Sequence, residues 1–208
     1  MHRVVLIRHG ESRANVGLEH GTHRGAELTA LGHQQAEALA VHWTEVPTRV
    51  VRSEFTRAMQ TSEPTLRRFP GVPVESWPVY EFCNLDHARW CERGIEEAWE
   101  FAGSYWSRLD AEYCDGPEAE SFHGFYNRMR AVLERLATLP DGTLTFVFSH
   151  GFAIHMMRLQ ILHPKLSPQQ LMPVFIDEWN RRPIANTECI ELVWDGAWVV
   201  RERTPLAR

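Results

Sequence analysis

The stretch VVLIRHG at residues 4–10 decides the fold that we predict for this chain. Four consecutive apolar residues are followed there by an arginine, a histidine and a glycine. A second stretch, LTFVFSHG at residues 144–151, repeats the order of an apolar run, a histidine and a glycine. Short apolar runs without polar alternation are typical of strands that are buried on both faces of a parallel sheet. Both stretches are therefore predicted to be parallel strands that end at a His-Gly pair.

The chain between and after these strands alternates helix and strand patterns. A strand at residues 48–52 is predicted to lead into a helix that begins near Thr56. Amphipathic helices are predicted from about Thr29 to Trp43 and from about Ser121 to Thr138. Near the C-terminus, Asp195-Gly196 is a hairpin dipeptide between two further strands, residues 187–194 and 197–202. The fold class predicted is α/β: a three-layer α/β/α arrangement with a mainly parallel central sheet and an antiparallel edge.

A chain of 208 residues fits one domain, so residues 1–208 are predicted to form a single domain. The segment from about 83 to 120 interrupts the alternating pattern, and residues 81–120 hold 11 acidic residues against 3 arginines. It is interpreted as an inserted helical lid over a site, or equally as an aromatic helix packed on the body. The aromatic residues concerned are Trp90, Trp99, Phe101, Tyr105, Trp106 and Tyr113.

The overall charge excludes some partners. The chain has 22 basic and 27 acidic residues, and the basic residues are scattered, so nucleic acid is not expected as a partner. No stretch approaches the roughly 20 apolar residues of a membrane span, and the N-terminal apolar run is too short for a signal peptide. A cytoplasmic location is expected, and composition leaves a homodimer open.

The cysteines and loop histidines do not have the spacing of a metal site. Cys83, Cys91, Cys114 and Cys189 lie far apart with no CxxC pair, so we expect reduced thiols rather than zinc ligands or disulfides. His20 and His23 could hold a metal ion across their two-residue gap, but surface histidines in a glycine-containing loop are the preferred interpretation. No metal and no cofactor are predicted.

An arginine beside a histidine directly after a buried strand indicates an anion site. Ligands of open α/β sheets bind beyond the carboxyl ends of the strands, where both His-Gly pairs are predicted to lie. If the two strands are neighbours, His9 and His150 converge there, and Arg57 approaches from the first turn of its helix. The planar fork of Arg8 or Arg57 can hold two oxygens of one phosphate.

These segments resemble the histidine phosphatase superfamily, specifically the phosphoglycerate mutase-like branch 1. The resemblance covers nearly the whole chain, and the order of the motifs makes it specific. The matching segments are RHGES at Arg8–Ser12 with Asn15 following, ELTALGHQQA at Glu27–Ala36, SEFTRAMQT at Ser53–Thr61, SHG at Ser149–Gly151, and Ala185-Asn186-Thr187.

The resemblance implies a two-step phosphoryl transfer through a phosphohistidine on His9, without a metal. It implies that Arg8 and Arg57 neutralise the phosphoryl oxygens, and that His150, protonated or donating, adds a further contact. Glu81 is the candidate that protonates the leaving group. Asn15 corresponds to an asparagine close to the phosphate, although a polar residue within a helix is the alternative; Asn186 is a weaker candidate.

The chain departs from the family pattern around the acid. A Gly-Trp-Glu-Gly segment is often found shortly after it, whereas residues 82–90 are FCNLDHARW here. Asp86 and Glu92 are therefore fallback acids, with plain surface charge as the alternative for both. Ser53-Glu54-Phe55 replaces a common Ser-Pro-Leu triplet, and His155 stands where an arginine often follows SHG.

The function predicted is a phosphomonoesterase, of the histidine acid phosphatase-like kind, that acts on a small phosphomonoester. One alternative is a cofactor-dependent phosphoglycerate mutase-type isomerase, against which the acidic lid argues because it should disfavour a strongly anionic bisphosphate. The other alternative is a phospho-ligand binder without turnover, suggested by the unusual segment after Glu81. The lid also predicts a preference for a neutral or cationic, partly apolar leaving group.

Overall fold

The structure is a computed structural model and describes residues 1–17, 24–86 and 103–202. Its strands and helices alternate along most of the chain, as the sequence predicts. The strands are β1 His2–Arg8, β2 Arg49–Arg52, β3 Val74–Ser76, β4 Leu144–Ser149, β5 Cys189–Trp194 and β6 Trp198–Glu202. The helices are α1 Ala30–His42, α2 Thr56–Arg68, α3 Phe122–Ala137, α4 Gly151–Leu162 and α5 Pro168–Arg181.

The strands form one sheet in the order β3-β2-β4-β1-β5-β6. The first four strands in this order are parallel, β5 pairs with β1 in the antiparallel sense, and β6 pairs with β5 in the antiparallel sense. Strands β1 and β4 are neighbours, and Arg8 lies opposite Ser149 at the end of their ladder. The α/β fold with a mainly parallel sheet and an antiparallel edge is confirmed, and the two His-Gly pairs leave the sheet side by side.

The helices cover both faces of the sheet. Along β1, Val4 and Leu6 belong to one buried cluster, whereas Val5 and Ile7 belong to the other, because successive side chains of a strand point to opposite faces. The first cluster is completed by residues of α3, α4 and α5, and the second by residues of α1 and by Leu66 of α2. This arrangement gives the predicted three layers and explains why the strands are apolar throughout.

The helices predicted from periodicity begin where a side chain caps them. Thr29 accepts a hydrogen bond from the backbone N–H of Gly32 at 3.0 Å, and Ser121 does the same for Gly124 at 3.1 Å. Both hydroxyls pair an N–H that would otherwise lack a partner in the first helical turn. The predicted boundaries near Thr29 and Ser121 therefore agree with the structure.

Helices α4 and α5 and strand β3 were not predicted. Helix α4 is buried on most of its surface, so it has no polar face to produce a helical period. Helix α5 contains Pro173, which usually argues against a helix interior. Strand β3 has only three residues at the edge of the sheet.

The described part of the acidic aromatic segment packs against the body. Tyr105 is 1% exposed and contacts the rings of Phe82, Trp106 and Tyr113. Trp106 also stacks on Phe175 of α5, with ring centroids 5.7 Å apart. Tyr105 thus belongs to the core and Trp106 and Tyr113 pack against it, while Trp90, Trp99 and Phe101 lie outside the described residues. The lid and the single domain remain predictions.

Among the described residues, no helix has the combined length and apolarity that crossing a membrane requires.

Candidate active site

The predicted site residues meet at the carboxyl ends of three adjacent parallel strands. His9 follows β1 and His150 follows β4, and their ring centroids are 5.1 Å apart. Arg57 lies in the first turn of α2, which follows β2, and its Nε donates a hydrogen bond to Nε2 of His9 at 3.1 Å. All three side chains are at least 97% buried. The convergence predicted from the motif order is therefore present.

The hydrogen bonds of His9 define which ring nitrogen carries the proton. Nδ1 lies 2.6 Å from the carbonyl oxygen of Gly10, which can only accept, so Nδ1 must donate. Nε2 faces the Nε–H group of Arg57, which can only donate, so Nε2 carries a lone pair. The imidazole is thus held as a neutral ring whose available lone pair faces the arginine.

Burial and positive charge keep His9 neutral. Burial is the largest cause that lowers the pKa of His9 well below its usual 6.5, and the charges of Arg57 and Arg8 lower it further. A hydrogen bond to the Gly10 carbonyl acts in the opposite direction and does not reverse the shift. A nucleophilic imidazole must be unprotonated, so this environment suits a nucleophile at neutral and mildly acidic pH.

The loop that carries His9 is fixed by two other motifs. The backbone N–H of Gly10 donates to Oγ1 of Thr61 at 3.0 Å, and Thr61 donates to the carbonyl of Arg57 at 2.6 Å. A Cβ on Gly10 would lie 2.6 Å from the carbonyl oxygen of Gly32 in α1, so only glycine allows this approach. The motifs around Gly32 and Thr61 therefore position the nucleophile rather than contact a ligand.

Two arginines supply the positive charge of the site. Burial lowers the pKa of Arg57 to about 10 and also lowers the pKa of Arg8, while the carboxylate of Glu81 raises both. Both guanidinium groups remain cations at neutral pH. Nη1 of Arg8 donates to the carbonyl of Ile184, which fixes the direction of the side chain.

His150 is a neutral imidazole in this environment. Burial is the main cause that lowers its pKa well below 6.5, and Arg57, His9 and Arg8 add to the shift. A protonated His150, one of the two expected forms, is therefore not supported, and the neutral donor remains a prediction. Its Nε2 lies 2.9 Å from Oγ of Ser53, and the buried Nδ1 has no hydrogen-bond partner within the described residues.

Glu81 lies at the N-terminus of α4. Its Oε1 accepts hydrogen bonds from the backbone N–H groups of Phe82 at 3.0 Å and Ala153 at 3.3 Å, and its Oε2 accepts from Phe152 at 3.3 Å. A negative charge is favourable at a helix N-terminus, so α4 holds this carboxylate. The first N–H groups of α4 thus bind the carboxylate of Glu81.

Asn15 and Asn186 form a pair beside the nucleophile. Nδ2 of Asn186 donates to the carbonyl of His9 at 2.9 Å and to Oδ1 of Asn15 at 3.3 Å. Oδ1 of Asn15 also accepts from the backbone N–H and the hydroxyl of Ser12, both at 3.1 Å. Since these bonds occupy the oxygen, the Nδ2 group of Asn15 is the end that can donate to an anion. Asn186 supports the site through Asn15 and the backbone.

Arg128, which no sequence motif singles out, holds the segment that bears Glu81. Its guanidinium pairs with both carboxylate oxygens of Glu120 at 2.8 and 2.7 Å. Nη1 donates to the carbonyls of Pro78 and Tyr80, both at 2.9 Å, and the group lies 3.7 Å from the centre of the Tyr80 ring. Within the sequence Arg128 is one of several arginines on an amphipathic helix, so no local signal identifies it.

Asp86, one of the two fallback acids, is bound to backbone elsewhere in the chain. Asp86 is 3% exposed, and its Oδ2 accepts from the backbone N–H of Glu118 at 3.1 Å. These contacts fix the chain near Gly116, where a Cβ would collide with the Asp86 carboxylate. Glu92 lies outside the described residues.

Residues 1–17, 24–86 and 103–202 contain no group of three or more His, Cys, Asp or Glu side chains arranged to hold a metal ion. His20 and His23, the two loop histidines considered as metal ligands, lie outside these ranges.

Comparisons with known proteins identify the family of this chain. The sequence profile of the histidine phosphatase superfamily (branch 1) matches residues 4–202. A relative named probable phosphoglycerate mutase GpmB, from Yersinia enterocolitica, is 27% identical over 168 residues, which cover 74% of this chain and 72% of the relative. Its Escherichia coli K12 counterpart is 29% identical over 157 residues, with the same coverage.

Solved structures share the fold over almost the whole chain. The α-ribazole phosphatase from Shigella flexneri has a TM-score of 0.74 and 24% identity, and covers 96% of this chain and 95% of its own. A mycobacterial glucosyl-3-phosphoglycerate phosphatase has a TM-score of 0.70 and 25% identity, and covers 96% and 97%.

Proposed function

Because this chain belongs to branch 1 of the histidine phosphatase superfamily, we propose that it hydrolyses a small phosphate monoester through a phosphohistidine on His9. The observation that carries the proposal is the lone pair on Nε2 of His9, which faces Arg57 at 3.1 Å in a buried site. An unprotonated imidazole beside fixed cations can attack phosphorus while the cations neutralise the phosphoryl oxygens. The proposed roles need no metal.

In the first step, Nε2 of His9 attacks phosphorus in line, so an N–P bond forms as the P–O bond to the leaving group breaks. When the substrate binds, the Nε–H group of Arg57 donates its hydrogen bond to a phosphoryl oxygen instead of to His9. This frees the lone pair on Nε2 of His9. Arg8, Arg57 and Nδ2 of Asn15 bind the phosphoryl oxygens together with His150. Electrostatic stabilisation of this kind is the main catalytic contribution in phosphoryl transfer.

Glu81 is the proposed proton carrier. It protonates the leaving oxygen in the first step and takes a proton from the attacking water in the second, when the N–P bond breaks and phosphate leaves. Its contacts in the structure are those of a carboxylate, so a proton has to arrive with the substrate. A phosphate monoester with a second pKa of about 6 carries that proton in its monoanionic form.

A metal-free assay tests the proposal. Release of phosphate from an aryl phosphate should continue in excess EDTA, and alkaline quenching during turnover, which preserves the N–P bond, should trap a phosphorylated protein. His9→Ala should lose both signals, whereas His33→Ala, at an exposed histidine on α1, should keep them. Absence of His9-dependent phosphate release would contradict the proposal, and a stable phosphohistidine without release would favour the phospho-ligand binder instead.

A phosphoglycerate mutase is the second candidate, and the names of the GpmB relatives favour it. A mutase would return the phosphoryl group from His9 to the substrate rather than to water. The two functions differ in their products: a mutase needs priming by a bisphosphate and interconverts two phosphoglycerates without net phosphate release. The acidic segment 81–120 argues for the phosphatase, because it disfavours a bisphosphate.

A further inference from the structure

Ser53 contacts the second histidine of the site from the end of β2. Its hydroxyl oxygen lies 2.9 Å from Nε2 of His150, and its side chain is fully buried. The backbone N–H of Phe55 donates to the same oxygen at 3.2 Å. The segment Ser53-Glu54-Phe55 departs from the usual triplet of the family, yet the serine itself lies against the site.

These contacts determine where the proton of His150 lies. The oxygen of Ser53 already accepts from Phe55, so its own proton needs an acceptor, and Nε2 of His150 is the one found among the described residues. If Ser53 donates to Nε2, that nitrogen carries the lone pair and the proton of the neutral ring is on Nδ1. Nδ1 is buried and has no hydrogen-bond partner in the described part of the chain.

We propose that Ser53 is a positioning residue that holds His150 in the Nδ1–H tautomer, so that a neutral imidazole donates a hydrogen bond to the phosphoryl group bound at His9. The inference rests on the proposed function, because it assigns the ligand of the unpartnered N–H. The ring of His150 lies 5.1 Å from that of His9, a separation that places a phosphoryl group on His9 beside it.

The tautomer of His150 matters because the Nε2–H form would repel a phosphoryl oxygen that the Nδ1–H form attracts. With the proton on Nε2, Nδ1 would present a lone pair to a negatively charged oxygen and repel it. Protonation of both nitrogens would avoid the choice, but burial and the neighbouring cations Arg57 and Arg8 lower the pKa of His150. A serine that accepts one hydrogen bond and donates the other therefore selects the useful form of a neutral ring.

The tautomer can be measured directly by long-range ¹H–¹⁵N NMR of histidine-labelled protein, with the His150 signals assigned from a His150→Gln spectrum. The expected pattern has a protonated Nδ1 and an unprotonated Nε2. Titration with inorganic phosphate should shift the Nδ1 signal more than the Nε2 signal. A protonated Nε2 in the wild-type protein would overturn the inference without bearing on the phosphatase activity.

Variants link the tautomer to turnover. Ser53→Ala should produce a mixture of His150 tautomers and lower kcat for an aryl phosphate about 10-fold or more, as loss of an oriented donor does. The matched control is Ser62→Ala, which removes another buried hydroxyl, one that donates to the carbonyl of Met59 in α2. It should leave the tautomer and kcat unchanged.

The outcomes separate the two proposals. Ser53→Ala with wild-type kcat and an unchanged tautomer would overturn this inference, as would an equal loss of kcat in Ser62→Ala. Absence of His9-dependent turnover in the wild-type protein would defeat the proposed function, while the NMR pattern would still report on Ser53. If Ser53→Ala fails to fold, the wild-type spectrum and its phosphate titration decide the question alone.

Discussion

The two His-Gly pairs both follow a buried parallel strand, but the two ring nitrogens of each histidine make different hydrogen bonds. At His9, Nδ1 donates to the next residue's carbonyl and Nε2 carries the lone pair beside Arg57. At His150, Nε2 meets the hydroxyl of Ser53 and Nδ1 is unpartnered among the described residues. The position of each ring thus follows from the strand and the His-Gly pair. The hydrogen bonding of each ring depends on a residue that follows another strand, Arg57 for His9 and Ser53 for His150. The ring of His9 is suited to attack phosphorus, and the ring of His150 is suited to donate a hydrogen bond.

The largest expected effect comes from removing each ring in turn. His9→Ala should lower kcat by at least about 10⁴-fold, because the proposed nucleophile is lost. His150→Ala should lower kcat by about 10²- to 10³-fold, because one donor to the phosphoryl group is lost. Trapping with an alkaline quench should find phosphorylated protein in His150→Ala and none in His9→Ala. Equal losses with trapping in neither variant would mean that the two rings do not differ in role.

The next effect concerns the proton that neither histidine is proposed to supply. Glu81→Gln should lower kcat by about 10²-fold or more for an alkyl phosphate, whose leaving group needs protonation. The loss should be much smaller for a nitrophenyl phosphate, whose leaving group is stable as an anion. Measuring kcat for both substrates in one variant provides the control. An equal decrease in kcat for the two substrates would show that Glu81 does not protonate the leaving group.

The glycines of the two His-Gly pairs differ in what an added side chain would meet. A Cβ at Gly10 would lie 2.6 Å from the backbone oxygen of Gly32, whereas a Cβ at Gly151 would lie 2.6 Å from the ring of Trp179. A side chain can move more easily than a packed helix backbone. Gly10→Ala should therefore lower the free energy of unfolding by about 3 kcal/mol and Gly151→Ala by about 1 kcal/mol.

Urea unfolding measures both variants, and a further substitution identifies the cause at Gly151. In a Trp179→Leu background, Gly151→Ala should cost almost nothing, because the colliding ring is absent. A cost that stays the same in this background would show that Trp179 is not the cause.

A pH effect on stability separates the site histidines from His155, another buried histidine, which lies in α4. Burial lowers the pKa of His155 from 6.5 to about 4, and its Nε2 donates to the carbonyl of Phe175 at 3.0 Å. Between these two values the unfolded chain binds a proton that the folded chain does not. The free energy of unfolding therefore falls as the pH decreases from 6.5 toward 4, by about 1.4 kcal/mol per pH unit from this residue.

His155→Gln tests this pH dependence, because glutamine can still donate to the carbonyl but does not titrate. Urea unfolding at several pH values between 4 and 6.5 should give a shallower pH dependence in the variant, with kcat at neutral pH retained. Curves that run parallel for the two proteins would show that His155 does not contribute. His9 and His150 act in the same direction, so some pH dependence should remain in the variant.

Much of the fold could be predicted because its signals are local. The apolar runs at residues 4–7 and 144–148 are long enough to identify buried strands, and Thr29 and Ser121 are N-terminal helix caps that a reader of the sequence can find. Helix α4 could not be found in this way, because burial on most sides removes the polar face that periodicity needs. The sequence predicted the directions of β4 and β5, whereas the order of the strands in the sheet is visible only in the structure.

The sequence by itself determined which residues could form a phosphate site: Arg8, His9, Arg57 and His150, each in a motif that belongs to one family. Only the tertiary structure decided how they are arranged and what holds them. The contact between Ser53 and His150 joins residues 97 positions apart, and Arg128 reaches the carbonyl of Tyr80 across 48 positions. A hydrogen bond depends on distance and direction in space, and residues far apart in the chain acquire both only when the sheet brings their strand ends together.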